Sequence, residues 1–298
     1  MIEGRSLIVS MTTIPSRLIN IDSTLVSILG QSLSPDEIVI ALPLESKRES
    51  QDGDPYNIPN FIEELGNNDK NIKITILRCK KDHGPLTKIL PCIRREKDKQ
   101  LPKDKESLIV SIDDDKIYDK HMIEYLIAGW RRNPNCAIAR KGSILKVLDQ
   151  RSDIYKKHKK MWDKRERIRE YVVIGHRLKQ DQSISVVFGT SGVVYRPSFF
   201  KNDFFNYKFK KGAPSFFHVD DIYISGYLGL KKVVKKAITF PPTRFIKKMV
   251  AVQKDNGNLS IDMNNKNREV NPLININSSD VDNSIKCVSY FKKHLVFK

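Results

Sequence analysis

At 298 residues the chain can form one large α/β domain or two small ones, and its 40% hydrophobic content excludes a wholly disordered polypeptide. Lys and Arg outnumber Asp and Glu by 53 to 35, a formal charge of +18. That surplus attracts polyanions such as nucleic acid, anionic membrane or phosphorylated ligands, and it carries no information about fold.

The first aliphatic run, SLIVSM (Ser6–Met11), predicts a buried strand. Between Arg17 and Leu29 the apolar residues Leu18, Ile21, Leu25, Ile28 and Leu29 fall at helical spacing. Pro15 and Ser16 precede them and Gly30 follows, as start and stop signals. EIVIAL (Glu37–Leu42) predicts a second strand, Phe61–Leu65 a short helix and IKITIL (Ile72–Leu77) a third strand. Thr87–Arg95 predicts a helix, SLIVSI (Ser107–Ile112) a fourth strand and Met122–Arg131 a further helix. Strand and helix alternating at this pace predict an α/β fold with a mostly parallel sheet covered on both faces. Ligands of such sheets bind outside the carboxyl ends of the strands.

The middle of the chain differs. Arg151–Glu170 holds nine basic residues against four acidic ones, with Tyr155 and Trp162 among its few large apolar groups, and predicts a solvated helix or mobile flap. SVVFGTSGVVYRPSFF (Ser185–Phe200) gives two aliphatic runs broken by GTSG, and HVDDIYISGYLGL (His218–Leu230) reads as a loop entering a helix. Asp255–Asn283 is Asn-rich and predicts a loop or loose wrap, and CVSYFKKHLVF (Cys287–Phe297) has an apolar pattern expected to dock back.

The stretch with most chemistry is LIVSIDDDKIYDK (Leu108–Lys120), in which the fourth strand runs into Asp113, Asp114 and Asp115. Three adjacent carboxylates repel one another, so a positive partner is required. In extended backbone Asp113 and Asp115 project to the same side. Two hard oxygen ligands there suit Mg²⁺ or Mn²⁺, which takes one or two protein carboxylates plus phosphate oxygens. An EF-hand is excluded, because its third ligand position falls on Ile117. The plainer reading is a solvated acidic turn that caps the next helix.

Around this stretch, STLVSILGQSLSPDEIVI (Ser23–Ile40) resembles the S-I-L-x-Q…D-E-I signature of family-2-like glycosyltransferases with the GT-A fold. VSMTTIPSR, GPLTKILP (Gly84–Pro91), SIDDD, GTSGVVY and DDIYISGYLG stand in the order of that class, so the resemblance spans roughly residues 6–230. One departure is that ALPLES stands where DDGS commonly follows the second strand. The resemblance implies a GT-A-like, Rossmann-like domain over 1–250, with a nucleotide-binding half (1–120) and an acceptor-binding half (121–250). Residues 251–298 are expected to form an Asn-rich loop and a C-terminal docking segment.

It also implies transfer of a sugar from a nucleoside diphosphate sugar, UDP before GDP, to a hydroxyl of a glycan, protein or lipid-linked acceptor. A Mn²⁺ or Mg²⁺ ion held by Asp113 and Asp115, with His218 a candidate third ligand and His294 a weaker one, then neutralises the leaving diphosphate. Asp113 or Asp114 reaches the ribose. Asp221 resembles the base of inverting members, with Asp220 raising its pKa; as residues opening a helix, the same pair has a plainer reading as an N-cap. Thr12, Thr13 and Arg17 follow the first strand, where this class grips the nucleotide, although Arg17 also reads as a surface residue. Lys88 is expected to reach the diphosphate and Asp82 the base or ribose. GTSG (Gly189–Gly192) lets the backbone approach a ligand, or is a plain turn.

Two other functions compete with this one. A sugar-phosphate nucleotidyltransferase usually has a Gly-rich loop after its first strand, and MTTIPSR contains no glycine. A nucleic-acid-binding protein would use the positive charge, but P-loop, zinc-knuckle and aromatic strand motifs are all lacking. Cys79, Cys92, Cys136 and Cys287 form no CxxC pair, which suits reduced thiols, and no run approaches the ~20 apolar residues of a membrane helix. A cytoplasmic enzyme with peripheral contact to an anionic membrane is the expectation.

Overall fold

Three of the aliphatic runs form strands buried on both faces, and IKITIL forms a half-exposed edge strand. The computed structural model describes residues 1–49, 54–68, 71–147, 168–206, 219–241 and 286–297. The first half supplies β1 (Leu7–Met11), β2 (Glu37–Pro43), the short pair β3 (Glu45–Ser46) and β4 (Asp54–Pro55), β5 (Lys73–Cys79) and β6 (Leu108–Ser111). The second half adds β7 (Ala137–Ala139), β8 (Lys141–Val147), β9 (Ile168–Ile174), β10 (Gln182–Ser183), β11 (Val186–Val187), β12 (Val193–Tyr195), β13 (Lys235–Ala237) and β14 (Val296–Phe297).

Eight strands form one mixed sheet in the order β10-β13-β7-β12-β6-β1-β2-β5. The half β6-β1-β2-β5 is parallel throughout, so its carboxyl ends lie along one edge. Alternation along β1 sends Ile8 to one hydrophobic cluster and Leu7, Val9 and Met11 to the other, which places apolar cores on both faces. The sheet is less uniform than the sequence predicts. β12 runs antiparallel between β6 and β7, after a turn at Gly192 with φ +82 that favours glycine. A second sheet forms around β8, which pairs β9, β11 and β14.

Several boundaries shift for local reasons. The predicted helix Arg17–Leu29 splits into Pro15–Leu18 and Asp22–Leu29. The predicted helix Thr87–Arg95 becomes a 3₁₀ turn, Gly84–Lys88, followed by the helix Leu90–Asp98 with Pro91 in its first turn. Of the basic run 151–170, residues 151–167 lie outside the described residues, and Ile168–Glu170 opens strand β9 rather than belonging to a flap. The Asn-rich stretch Asp255–Asn283 and His218 also lie outside the described residues.

The end of the chain packs on the helix Asp220–Leu230. A Cβ at Gly226 would lie 2.2 Å from the Phe291 ring, and one at Gly229 would lie 2.3 Å from the His294 carbonyl oxygen. Glycines inside that helix therefore make room for the C-terminal segment. Gly226→Ala gains up to about 1 kcal/mol of helix propensity, but overpacking costs about 1–3 kcal/mol, and Phe291 is itself wedged between Tyr223 and Tyr290. The clash should win. The expected result is a lower urea midpoint at unchanged m-value, and an unchanged or higher midpoint would refute this packing account.

Candidate active site

β1 and β6 are parallel neighbours paired through Ser10 and Ser111, so the residues after each emerge side by side at the carboxyl edge. After β1 come Thr12 and Thr13, and after β6 come Asp113, Asp114 and Asp115. The Thr13 hydroxyl donates to Asp114 Oδ2 at 2.6 Å. Tyr56 donates to the Thr13 carbonyl at 2.9 Å, and the Thr24 hydroxyl donates to the Asp114 carbonyl at 2.9 Å. Thr12 Oγ1 is buried without a hydrogen-bond partner.

The positive partners of the three aspartates are two different side chains. Arg17, in the first short helix, places Nη2 2.6 Å from Asp114 Oδ1 and 3.0 Å from Asp115 Oδ2. Lys88, which ends the Gly84–Lys88 turn, places Nζ 2.8 Å from Asp113 Oδ1. The chain turns at Asp114–Asp115 instead of staying extended. The alternation argument that put Asp113 and Asp115 on one side therefore does not hold in its simple form, and the pair goes to separate cations. Exposure still divides the three as i, i+2 spacing would: the Asp113 and Asp115 side chains each keep 23%, while Asp114 keeps 11%. Asp114 is the structural anchor, and its flanking residues are the more reachable.

Asp220 and Asp221 converge on the same point from the start of their helix. Neither caps it, because the N-terminus has no side-chain capping hydrogen bond. Asp220 Oδ2 lies 2.7 Å from Lys88 Nζ, close enough for an ion pair but out of line for a hydrogen bond. Both oxygens of Asp221 accept the Gly189 N–H at 3.1 Å. Gly189 comes close to the charged ends of the cluster: a Cβ there would sit 2.8 Å from Lys88 Nζ and 3.2 Å from Asp221 Oδ1. GTSG is thus a close backbone approach to the acidic cluster and not a plain turn.

Burial and neighbours distribute the protons unevenly. Burial pushes Asp221 up, Asp220 adds to it, and Lys88 only partly offsets them, leaving a pKa of about 8. Burial also pushes Asp113 up, but there the Lys88 ammonium outweighs it and holds the carboxyl below its ordinary value. For Asp114 burial wins over Arg17 and the pKa is raised. Burial opposes charge on Lys88, yet Asp113, Asp220 and Asp221 together keep it well above an ordinary lysine.

Two expectations change in detail. Lys88, expected from the sequence to reach a diphosphate, is buried among carboxylates. Asp82 accepts the Lys47 N–H and the Gly84 N–H, each at 2.7 Å, and pins the loop at Gly84, whose φ of +60 suits glycine. Any ligand contact by Asp82 must use its remaining lone pairs. His294 lies against the backbone at Gly229, in the C-terminal segment. Tyr118 was missed by the sequence reading: its buried hydroxyl accepts the Asp113 N–H at 2.9 Å, and its own N–H donates to Ser27 Oγ. Its place five residues after Asp113 was the only signal.

Among the described residues no group of three or more His, Cys, Asp or Glu is arranged to cage a metal ion. Mg²⁺ or Mn²⁺ bound with a diphosphate needs only one or two carboxylates. The residues fit such a hard cation. An ammonium already stands among Asp113, Asp220 and Asp221, Asp220 Oδ2 is buried without a hydrogen bond, and Gly189 leaves a cradle that a Cβ would fill. Asp113 meets Lys88 through Oδ1, while Asp115 meets Arg17 through Oδ2 at 3.0 Å and Lys116 through Oδ1 at a longer 3.6 Å.

Cys79, Cys92 and Cys136 are free thiols, and among the described residues no helix is long and apolar enough to cross a membrane. No family model matches the chain, and no curated protein sequence matches it. Solved structures do match. One of them, the crystal structure of S. aureus TarS 1-349, aligns with a TM-score of 0.40 and 13% sequence identity over 97% of this chain and 80% of that one.

Proposed function

We propose that the chain is a metal-dependent, GT-A-type glycosyltransferase that moves a sugar from a nucleoside diphosphate sugar, UDP before GDP, to an acceptor hydroxyl with inversion. The observation that carries this reading is the meeting of two acidic groups, Asp113–Asp115 and Asp220–Asp221, at the carboxyl edge of β1 and β6. One group is suited to a cation and the other to a proton, which are the two things a displacement at a sugar diphosphate requires.

Asp113 and Asp115 would hold a Mn²⁺ or Mg²⁺ ion, whose charge balances the leaving diphosphate when it is bound. Asp114, locked by Thr13 and Arg17, fixes the turn that presents its two neighbours. Thr12, Thr13 and Arg17 line the end of β1 and orient the nucleotide, with Asp82 at the adjoining loop toward base or ribose. Asp221 accepts the proton of the attacking hydroxyl, held by the Gly189 amide. Burial keeps its proton affinity high, which favours transfer from a weakly acidic alcohol. Asp220, ion-paired to Lys88, stays beside it as the charge that raises that affinity. His218 remains a proposed third ligand. The expected acceptor is a glycan, protein or lipid-linked sugar, reached from the cytoplasm with peripheral contact to an anionic membrane.

A ligand that binds only the native state raises its melting temperature by mass action. Thermal-shift titrations with UDP, GDP, CDP and TDP, each with and without Mn²⁺, should give the largest rise with UDP plus Mn²⁺. If no nucleoside diphosphate shifts the melting temperature in the presence of Mn²⁺, the transferase reading is lost.

A further inference from the structure

Lys88 is the least expected feature of the site. A lysine ammonium is compact and strongly hydrated, so burying it is costly unless anions surround it. Here Asp113 Oδ1 lies at 2.8 Å, Asp220 Oδ2 at 2.7 Å, and Asp221 close by across Gly189. Four separate segments meet at this one charge: the Gly84–Lys88 turn, the loop after β6, the Gly189 turn and the start of the Asp220–Leu230 helix. Two carboxylates, Asp113 and Asp220, contact this one ammonium with Asp221 beside them, and one of the two close oxygens, on Asp220, makes no hydrogen bond. The arrangement has the form of a cation site filled by the protein's own side chain on a flexible stem.

We propose that the Lys88 ammonium is the resident cation of the donor-free site and competes with a divalent metal ion for Asp113, so that loading the site moves Lys88 off that carboxylate. This rests on the transferase reading and deepens it. In the donor-free protein Lys88 keeps the two acidic groups together. When the metal and diphosphate arrive, Asp113 changes partner and the ammonium remains with Asp220 and Asp221. Such an exchange makes metal binding weak without donor and cooperative with it, because the donor's diphosphate supplies the ligands that offset loss of the Lys88 contact.

The test reads Mn²⁺ binding alone, with no nucleotide, from the electron paramagnetic resonance signal of free Mn²⁺. It compares the wild type, Lys88→Met and the charge-balanced pair Lys88→Met with Asp220→Asn. The single variant loses one positive charge near the cation, so a gain there has a general electrostatic component. The pair has the same net charge as the wild type, and it remains informative if the single variant fails to fold. Both variants should bind Mn²⁺ tighter by about tenfold or more, since a unit charge is withdrawn from a buried carboxylate. Adding Asp113→Asn should erase the gain. Unchanged or weaker Mn²⁺ binding by the paired variant overturns the proposal, as does a gain that survives Asp113→Asn. Neither result depends on nucleotide binding, so loss of this proposal and loss of the transferase reading are separately visible.

Discussion

Asp221→Asn is expected to lower turnover by roughly 10²–10⁴-fold, the range for removal of a general base, while Mn²⁺-dependent nucleotide binding stays near the wild-type value. Asn is nearly the same shape, and its amide oxygen can accept the Gly189 N–H as Asp221 does. It cannot take a proton from the acceptor hydroxyl. Burial and Asp220 hold Asp221 at about 8, so it is mostly protonated at neutral pH, and wild-type kcat/KM should rise with pH up to that region.

The same shift fixes the sign of a stability effect. The folded state binds the Asp221 proton more tightly than the unfolded chain, whose carboxyl titrates near ~3.9. The stabilisation is complete below that value and is lost as pH rises through about 8. Asn does not titrate, so the melting temperature of Asp221→Asn relative to wild type should increase from pH 5 to pH 8. A slowed variant that gains stability relative to wild type as pH rises is the expected outcome. Near-normal turnover, or a product of retained anomeric configuration by NMR, would end the base assignment without touching the metal site.

Asp115→Asn should abolish the Mn²⁺-dependent part of nucleotide binding and reduce turnover by orders of magnitude. Asp115 is among the more reachable carboxylates of its group, and its present partners, Arg17 at 3.0 Å and Lys116 at 3.6 Å, lie at the partly open side of the site. Replacing it leaves the buried contacts of Asp114 with Thr13 and Arg17 in place, so the fold should survive. Calorimetric titration of UDP with and without Mn²⁺ separates the two terms. Persistence of the full Mn²⁺ effect in Asp115→Asn would reassign the residue to holding Arg17.

The local order of the chain determined much of the parallel half-sheet. SLIVSM, EIVIAL, IKITIL and SLIVSI are short aliphatic runs between turn signals, and each became a strand within one or two residues of its predicted ends. Three were legible because a strand buried on both faces must be apolar almost continuously, whatever its neighbours are, and IKITIL, the half-exposed edge strand, shows its alternation of apolar and polar residues instead. The acidic triplet was legible for a similar reason: three adjacent carboxylates need a positive partner in any fold. Which partner they have was decided only by tertiary structure. Lys88 is 25 residues from Asp113, and Arg17 is 97 residues from Asp114. Ion pairing across such separations leaves no periodic trace in the chain. The antiparallel insertion of β12 and the second sheet around β8 depend on pairing between distant short strands, and a three-residue run such as VVY has no register of its own. The charge of each aspartate was likewise undetermined by sequence, because burial raises both, while the Lys88 ammonium holds Asp113 low and Asp220 helps keep Asp221 high.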